Sequence, residues 1–503
     1  MLRIDDTCCV SKKTKVSDNK PALRGWSLSD DVTGRVCPQI TIGVLPDNVL
    51  LEIFDFYLGE DDSDKIKHNY NYDGWHKLVH VCHRWRCIIF ASPRRLDLKL
   101  YCTRQRPVNS EMLDILPALP IVVVAENMKS KEDVANITAA LSQHNRVCKV
   151  YYRNGHFQDS LLKEFVAMDE PFPALISLKL ISSAQNVPVL PISFLGGSAP
   201  RLRSLHLNGI PYPSVGKLLS STTNLVRLFL WHIPHSGYIS PKAIVPCLSM
   251  LPRLKSLRLG FQCPRSQAHR ASRHSLPLAR VIFPNLTSLV FSGDVEYLED
   301  VLSQIETPIL NQCDFWFFNQ LVFDTPLLGQ FIHRTDTSTT IHTARVHFFS
   351  WAVKVKLSGR EDAANNGREA LQLKISCKPL DWQLSAVTQV LNSFLPYFPT
   401  LEILQVAVSP EDWQGEIEVV QWREFLRPFT SVKEMSLEFE DSVRHIAPAL
   451  QEVASENETE VLPALQNLAL WTYPWRPSGP VKEAIEQFIA TRQLCGCPIT
   501  FQY

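Results

Sequence analysis

A short leucine phrase recurs along this chain, and it constrains the fold more than any other feature. The phrase is a leucine, two variable residues and then Leu-x-Leu, often preceded by Phe-Pro or Leu-Pro, as in residues 172–180 (FPALISLKL). Its central leucines lie at positions 178, 205, 228, 257 and 289, so the steps are 27, 23, 29 and 32 residues. A unit this short cannot bury its leucines alone, so neighbouring units must stack to make a core.

The phrase returns near the end of the chain, at 401–406, 432–437 and 465–470, and it fades between about 295 and 395. Helix-compatible stretches separate the copies, so each unit is predicted to be one strand and one short helix. Proline marks the turn into each strand because it cannot continue the helix. This spacing is typical of leucine-rich repeats. It predicts an α/β solenoid with a curved parallel sheet over residues 101–480, irregular in the middle, and a C-terminal cap over 481–503.

The residues between and beside the leucines are predicted to form a surface, because side chains alternate between the two faces of a strand. Aromatic and arginine side chains are the usual anchors of protein interfaces. The sequence therefore favours a target-binding role for this face, although many of its residues would be bystanders. The target-binding candidates are Lys179, His206, Phe229, Trp231 and Arg258, with Asn208 beside them; Gln405, Glu434, Ser436, Glu438 and Trp471 make a more acidic end.

Two short apolar helices are predicted near the front of the chain. After Leu45-Pro46, a wide apolar face at helical period runs from Val49 to Tyr57. A second helical pattern covers residues 75–90 and carries Leu78, Val79, Cys82, Trp85, Ile88 and Ile89. Helices this apolar cannot bury themselves fully as a pair, so the pattern predicts a partner protein.

Residues 40–100 resemble an F-box. They open with Leu-Pro (45–46), continue with an apolar helix (49–54) and close with Val-Cys-x-x-Trp (81–85) and Ser-Pro (92–93). They depart from that pattern in a long polar segment, 58–74, which is predicted to be an exposed loop. The resemblance implies a three-helix unit over 41–100 that docks on a Skp-type adaptor of a cullin–RING ubiquitin ligase. The implied docking residues are Leu45, Pro46, Val49, Leu50, Ile53, Val81, Cys82 and Trp85.

In this interpretation the repeats hold a target protein for ubiquitin transfer, and the partners are the adaptor, the cullin scaffold and an unidentified target. The chain itself is predicted not to be an enzyme, because it lacks a phosphate loop, a dinucleotide fingerprint and a Gly-x-Ser-x-Gly elbow. Its contribution to catalysis would be proximity, and no cofactor is predicted.

Composition and charge limit the other classes of function. Lys+Arg and Asp+Glu are equal at 51 each, so no overall field favours nucleic acid or a membrane surface. No run of eighteen apolar residues is present, which predicts no membrane span. Residues 1–40 are polar, and this composition predicts a disordered tail and no signal peptide. With 13 cysteines and no paired framework, these features predict an intracellular protein, cytoplasmic or nuclear.

A possible metal site and two alternative functions depend on particular residues. His76, His80 and His83 fall at i, i+4 and i+7 near Cys82, a spacing that would place a zinc site on one helix face; no glutamate follows the first histidine, and no metal is predicted. The protein could be a repeat interaction scaffold with a degenerate F-box. It could also hide an enzyme in 295–395; the candidate residues are Asp314, His333, Asp336, His342 and His347.

Overall fold

The computed structural model describes most of the chain after residue 41. The described residues are 42–58, 74–104, 119–126, 128, 130–153, 160–184, 186–264, 280–335, 341–359, 369–410, 418–455, 461–472 and 474–502. The predicted tail, 1–40, lies outside them, and so does 59–73 of the polar segment predicted to be a loop. The chain divides into two compact units, with the break between Ser92 and Pro93. The domain boundaries predicted at residues 100 and 480 stay predictions.

In its described residues, the first unit contains three α-helices around a small core. They are α1 (Asp47–Leu58), α2 (Gly74–Val79) and α3 (His83–Ala91). Helix α1 begins directly after Pro46, whose carbonyl accepts the Leu50 amide at 3.1 Å, so the proline stands where its missing N–H costs nothing. Leu50 and Phe54 are fully buried, and the Phe54 ring lies 4.7 Å from the Trp85 ring.

The second helical pattern, 75–90, is interrupted by a turn at His80 and Val81, which separates α2 from α3. The Val81 amide donates to the Leu78 carbonyl at 3.2 Å, a tightened final turn that ends α2. The prediction that His76, His80 and His83 share one helix face is therefore wrong, since His80 lies in this turn and the other two histidines lie on different helices.

The second unit is built on one long sheet. Its strands pair in the order β1-β2-β3-β4-β5-β6-β7-β9-β11-β14-β13-β12-β15-β16-β17-β18, and β8 pairs with β10 separately. The strands are β1 (Leu100–Thr103), β2 (Ile121–Glu126), β3 (Val147–Arg153), β4 (Ser177–Ile181), β5 (Ser204–Asn208), β6 (Arg227–Ile233), β7 (Ser256–Phe261), β8 (Val281–Ile282), β9 (Ser288–Gly293), β10 (Ile305–Glu306), β11 (Gln312–Phe317), β12 (Ile341–Phe349), β13 (Ala352–Gly359), β14 (Glu369–Ser376), β15 (Ile403–Val408), β16 (Glu434–Glu438), β17 (Asn467–Trp471) and β18 (Thr500–Gln502).

The repeated leucines form ladders across this sheet, as the phrase predicts. The central leucines of β4, β5, β6, β7 and β9 are direct cross-strand partners, from Leu178 through Leu228 to Leu289. Each of these five leucines is at most 4% exposed. Burying a leucine side chain stabilises the fold by about 2 kcal/mol, so a continuous ladder supplies the core that no single unit could make.

Helices pack on the leucine side of the sheet. In the second unit they are α4 (Lys131–Leu141), α5 (Ser160–Val166), α6 (Val215–Leu219), α7 (Pro241–Ser249), α8 (Val295–Gln304), α9 (Pro326–His333), α10 (Leu380–Phe394), α11 (Val419–Leu426), α12 (Glu440–Ser455) and α13 (Gly479–Leu494). The prediction of one helix for each strand fails between β4 and β5, where the described connection contains a 3₁₀ turn, Phe194–Gly197.

The middle of the sheet departs from the predicted all-parallel arrangement. Strands β12, β13 and β14 pair antiparallel with one another, and their outer members pair parallel with β15 and β11. The segment where the leucine phrase fades is therefore still a continuous part of the sheet, built from strands of eight and nine residues. The fold is α/β with a long, mostly parallel sheet, consistent with a leucine-rich-repeat-like array.

The C-terminal residues complete this sheet. Helix α13 precedes β18, which pairs parallel with β17. The buried Arg492 of α13 donates to the carbonyls of Leu462 and Pro463 at 3.2 and 3.0 Å, which satisfies backbone acceptors beside the last full repeat. Within the described part of the chain, no helix is both long enough and apolar enough to cross a membrane.

Candidate functional site

Helix α1 has two apolar faces, and only one of them is used by the first unit. Leu50 and Phe54 point into its core, whereas Val49, Ile53 and Phe56 are 37%, 39% and 91% exposed. The second set follows i, i+4 and i+7 spacing, so it forms a single stripe. Val44 and Val81 add further exposed apolar surface, at 71% and 57%. We call these five residues the helical apolar face.

The predicted docking residues divide between this exposed surface and the core. Pro46, Val49, Ile53, Val81 and Cys82 are exposed. Leu45 is half-buried, and Leu50 lies entirely inside. Trp85 is half-buried against Phe54. In this structure Leu50 and Trp85 therefore pack in the core of the first unit, and the exposed docking candidates are the five residues named first.

Arg84 ties the start of α1 to α3. Its Nη2 donates to the Leu45 carbonyl and to Asp47 Oδ1, both at 2.6 Å, and its Nε donates to the same carboxylate oxygen at 3.1 Å. A guanidinium offers several donors in a rigid plane, so one side chain can hold a backbone carbonyl and a carboxylate together. The Leu45-Pro46 corner is thereby held in place by a residue that the sequence analysis did not single out.

His76 and His83 of the first unit contact different residues. His76 stacks on Trp75 with ring centroids 3.7 Å apart, and the His83 ring nitrogens lie 3.6 and 3.7 Å from Cys87 Sγ. Among the described residues, no group of three or more His, Cys, Asp or Glu side chains could hold a metal ion.

The second candidate surface is the side of the sheet opposite the leucine ladders, which we call the outer face. The predicted target-binding residues lie together on it: Lys179, His206, Phe229 and Arg258 are successive cross-strand partners on β4 to β7. Trp231 lies two residues after Phe229 on β6, on the same face of the strand. It covers Gly260, where an added Cβ would come within 2.6 Å of the indole ring. The sequence therefore grouped these five residues correctly, while a binding role for them stays a prediction.

Aromatic rings lie beside both cationic side chains on this part of the outer face. Lys179 Nζ lies 4.9 Å from the Tyr151 ring centroid, and the Arg258 guanidinium lies 5.0 Å from that of Phe229. The His206 ring meets Phe229 edge-on at 5.3 Å. Each cation thus has a π-face beside it, an arrangement worth about 0.5–1 kcal/mol at exposed sites.

Burial and neighbouring charge make His206 a neutral side chain. Desolvation lowers the pKa of His206 to about 4, and the positive charges of Lys179 and Arg258 act in the same direction. Desolvation also lowers the pKa of Lys179, with Arg153 adding to the shift and Glu126 opposing it. At neutral pH this row therefore presents two cations on either side of an uncharged imidazole and a phenyl ring.

The acidic end of the outer face is partly neutralised within the chain. Arg345 Nε donates to Gln405 Oε1 at 2.6 Å and lies 3.8 Å from Glu438 Oε1. Ser436 is buried, at 9% exposed, whereas Trp471 is 69% exposed. Of the residues predicted here, Trp471 offers the largest accessible apolar surface.

Sequence analysis missed the middle of the outer face. Lys354 and Lys356 on β13, Lys374 on β14 and the indoles of Trp316 and Trp351 lie there. The signal was present as the alternation in residues 353–357 (VKVKL), which places both lysines on one face of a strand. This alternation alone did not predict a strand of the repeat array, because the segment lacks the leucine phrase.

A polar cavity of about 890 Å³ lies at the carboxyl ends of β4 to β7. Its lining includes Lys163, Asn208, His232 and Gln262. His232 has a positive φ of 49° and its Nδ1 lies 3.0 Å from Asn208 Oδ1. The described lining contains no Asp, Glu or Cys side chain, so it offers neither a pair of carboxylates nor a thiol nucleophile.

Of the residues suggested for a hidden enzyme, His342 and His347 lie on the same strand, β12, whereas Asp314 and His333 lie on β11 and α9. His333 is on α9 beside Tyr397, and His347 is on β12, where its Nε2 lies 3.0 Å from Ser409 Oγ. Asp314 on β11 accepts hydrogen bonds from Trp316 Nε1 and Gln372 Nε2 at 2.6 and 2.9 Å. Asp336 lies outside the described residues.

The comparisons with known proteins add little to this geometry. Neither the protein-family models nor the curated proteins compared with this chain give a match. Among solved structures, the leucine-rich repeat-containing protein LegL7 from Legionella pneumophila aligns over 65% of this chain and 93% of its own. The TM-score is 0.26 and the sequence identity 16%. The assignment of a repeat-type α/β sheet therefore depends on the strand pairing and leucine ladders described above.

Proposed function

We propose that this chain is a substrate-recognition subunit of a cullin–RING ubiquitin ligase of the Skp–cullin–F-box type. The helical apolar face would dock on a Skp-type adaptor, which joins the chain to the cullin scaffold. The outer face of the sheet would bind a target protein. The chain would contribute no catalytic residue and would act by holding the target near the enzyme that carries ubiquitin.

The observation that carries this proposal is the second apolar face of α1. A small helical unit that already has a buried core gains nothing in its own fold from leaving Val49, Ile53 and Phe56 exposed. Contiguous exposed apolar surface of this kind marks protein interaction sites. Val49, Ile53 and Val81 of this face also belong to the segments that resemble an F-box, so one surface accounts for both features.

The Arg84 contacts support the same assignment. They tie the Leu45-Pro46 corner and the first residue of α1 to α3, and the bond to Asp47 is charge-assisted, which makes it stronger than a neutral one. A docking surface assembled from two segments needs such a fixed junction, because each immobilised side chain costs binding free energy unless it is already ordered.

A pull-down with purified Skp-type adaptor tests the docking surface. The variant Val49→Ser/Ile53→Ser removes two exposed apolar side chains and leaves Leu50 and Phe54 in the core. We expect adaptor affinity to fall roughly tenfold or more, the range typical when hot-spot residues are truncated. The matched control is Val189→Ser/Ile192→Ser, which removes the same side-chain types at residues 43% and 58% exposed in the second unit.

Equal binding by the wild type and the docking variant would refute the adaptor assignment. Binding of partner proteins without any binding of adaptor would instead favour the second candidate, a repeat interaction scaffold with no ligase role. The outer face supports that candidate independently, because its cations and aromatic rings belong to the second unit.

A further inference from the structure

Cationic side chains are concentrated in the antiparallel part of the outer face. On β13, Lys354 is the direct cross-strand partner of Lys374 on β14, and Lys356 is the direct partner of Arg345 on β12. Directly opposed residues have Cβ atoms about 5 Å apart, and like charges in such positions destabilise a sheet. The fold therefore carries two opposed like-charge pairs on adjacent strands. Departures of this kind from local preference are expected at functional sites.

Aromatic rings hold one of these cations in a defined position. Lys374 Nζ lies 4.3 Å from the Trp316 ring centroid and 4.0 Å from that of Trp351. Trp316 is held in turn by Asp314, which accepts a hydrogen bond from its Nε1, and by an edge-on contact with Trp231, with ring centroids 5.8 Å apart. The ammonium group is therefore ordered in advance, which lowers the entropic cost of recognising an anion.

Four cationic side chains, Lys354, Lys356, Lys374 and Arg345, stand beside two carboxylates, Asp314 and Glu438. Desolvation lowers the pKa of Lys374, the positive charge of Lys354 lowers it further, and Asp314 opposes the shift. An anionic ligand placed here would relieve both the repulsion and the loss of solvation.

We propose that this patch binds an extended, carboxylate-rich peptide segment of a partner protein through Lys354, Lys356 and Lys374. Lys354 and Lys356 are two residues apart on one strand, so their Cα atoms are separated by about 6.8 Å. Alternate side chains of an extended peptide repeat at the same distance, so acidic residues at every second position match them. The proposal rests on the proposed function in one respect only, since it names the class of target that the outer face takes.

Two other anions fit the patch less well. Phosphate groups are bound best by converging arginine forks that donate two parallel hydrogen bonds, whereas these cations are mainly lysines distributed over three strands. Single-stranded nucleic acid binds by stacking bases on open aromatic faces. Here Lys374 lies over the rings of both Trp316 and Trp351, so one face of each indole is already covered.

Fluorescence anisotropy on the full chain tests the proposal. The probe is a labelled peptide of four Glu-Thr repeats, and its control is the isosteric peptide of four Gln-Thr repeats. We expect binding of the acidic peptide, weakened by added salt, and no binding of the amide peptide. The variant Lys354→Gln/Lys356→Gln/Lys374→Gln should bind the acidic peptide about tenfold more weakly or worse.

A charge-matched control separates the patch from the overall charge. Lys131→Gln/Lys242→Gln/Lys482→Gln removes the same three charges from exposed positions on α4, α7 and α13, and it should bind the acidic peptide as the wild type does. Thermal unfolding of both variants checks that they are folded; if the first is not, Lys356→Gln alone replaces it, with an expected loss of about threefold.

Four results would overturn the proposal: no binding of the acidic peptide by the wild type, equal binding by the patch variant, an equal loss in the charge-matched control, or tighter binding of a phosphoserine-Thr peptide or an oligouridylate. Because the assay needs no adaptor, its failure leaves the adaptor pull-down unaffected. Failure of the pull-down likewise leaves the peptide result standing.

Discussion

The parallel repeats from β4 to β9 and the antiparallel segment from β12 to β14 belong to one sheet and share a buried core face. They differ in how the charged residues of their outer face are arranged. In the repeats, leucines align in ladders on one side, and Lys179 and Arg258 on the outer face each lie beside an aromatic ring. In the antiparallel segment the core side is equally buried, but cations on the outer face stand opposite other cations. The comparison shows that core packing and surface charge are set independently along this sheet.

The largest expected effect tests the core that the two regions share. Leu228→Ala removes a fully buried ladder residue and should lower the free energy of unfolding of the second unit by about 3 kcal/mol, because a cavity remains. Val355→Ala in the antiparallel segment, where Val355 is 2% exposed, should cost about 2 kcal/mol because less volume is lost. Urea denaturation measures both. A cost below about 0.5 kcal/mol for either would show that its region lacks a tightly packed core.

The second prediction concerns pH and the parallel region. Because the pKa of His206 is lowered from 6.5 to about 4, the folded state keeps this imidazole neutral, whereas the unfolded chain protonates it near pH 6.5. The unfolded state then binds more protons, so the free energy of unfolding should fall as the pH drops from about 6.5 to 4. His206 should contribute on the order of 2 kcal/mol of this fall.

The variant His206→Gln isolates that contribution, since the difference between wild type and variant removes the titration of other groups. The difference in unfolding free energy should change across this pH window and stay constant above pH 7. His235→Gln, at an exposed histidine, is the matched control. Parallel pH curves for wild type and His206→Gln would contradict the prediction.

A smaller effect on the unfolding free energy is expected when an aromatic ring beside a cation is removed from the repeats. Phe229→Leu keeps an apolar side chain but removes the ring that faces both Arg258 and His206. We expect a loss of about 1 kcal/mol in unfolding free energy, which is the combined scale of one cation–π and one aromatic contact. Phe229→Tyr retains the ring and should be close to wild type. If the leucine and tyrosine variants are equally stable, the ring contributes nothing.

The smallest effect has the opposite sign and lies in the antiparallel segment. Lys354→Thr removes one member of the Lys354–Lys374 pair and introduces a residue that favours strands. It should stabilise the second unit by about 0.5 kcal/mol at low ionic strength, and the gain should shrink in high salt. Lys149→Thr on β3 is the control, since its cross-strand partners are Val122 and Ser177. A stabilisation that salt does not alter would mean that repulsion is not its cause.

Much of this architecture follows from local sequence. The Leu-x-Leu phrase predicted the strands, their core-facing side and the grouping of Lys179 with His206 and Phe229, because period-two alternation and a fixed repeat length specify register. The antiparallel segment was not predicted, since its strands are recognisable only by alternation and their pairing direction is not written in any one of them. The opposition of Lys354 and Lys374 likewise depends on pairing between distant residues.

The first unit shows the same limit. The spacing of Val49, Leu50, Ile53 and Phe54 indicated one wide apolar face, yet the folded unit covers Leu50 and Phe54 and leaves Val49 and Ile53 exposed. Which side of α1 becomes core is decided by where α2 and α3 pack. The sequence resembling an F-box implied a docking role for all these positions, and the structure separates those that can be reached from those that support them.

By itself, then, the sequence determined that this protein has a stacked α/β core of repeated leucines and an apolar helical segment before it, because both features are periodic and local. Only the tertiary structure decided which apolar residues stay accessible and which charges face one another. Those properties depend on contacts between segments far apart in the chain, where packing and electrostatics act across space and leave no regular spacing to read.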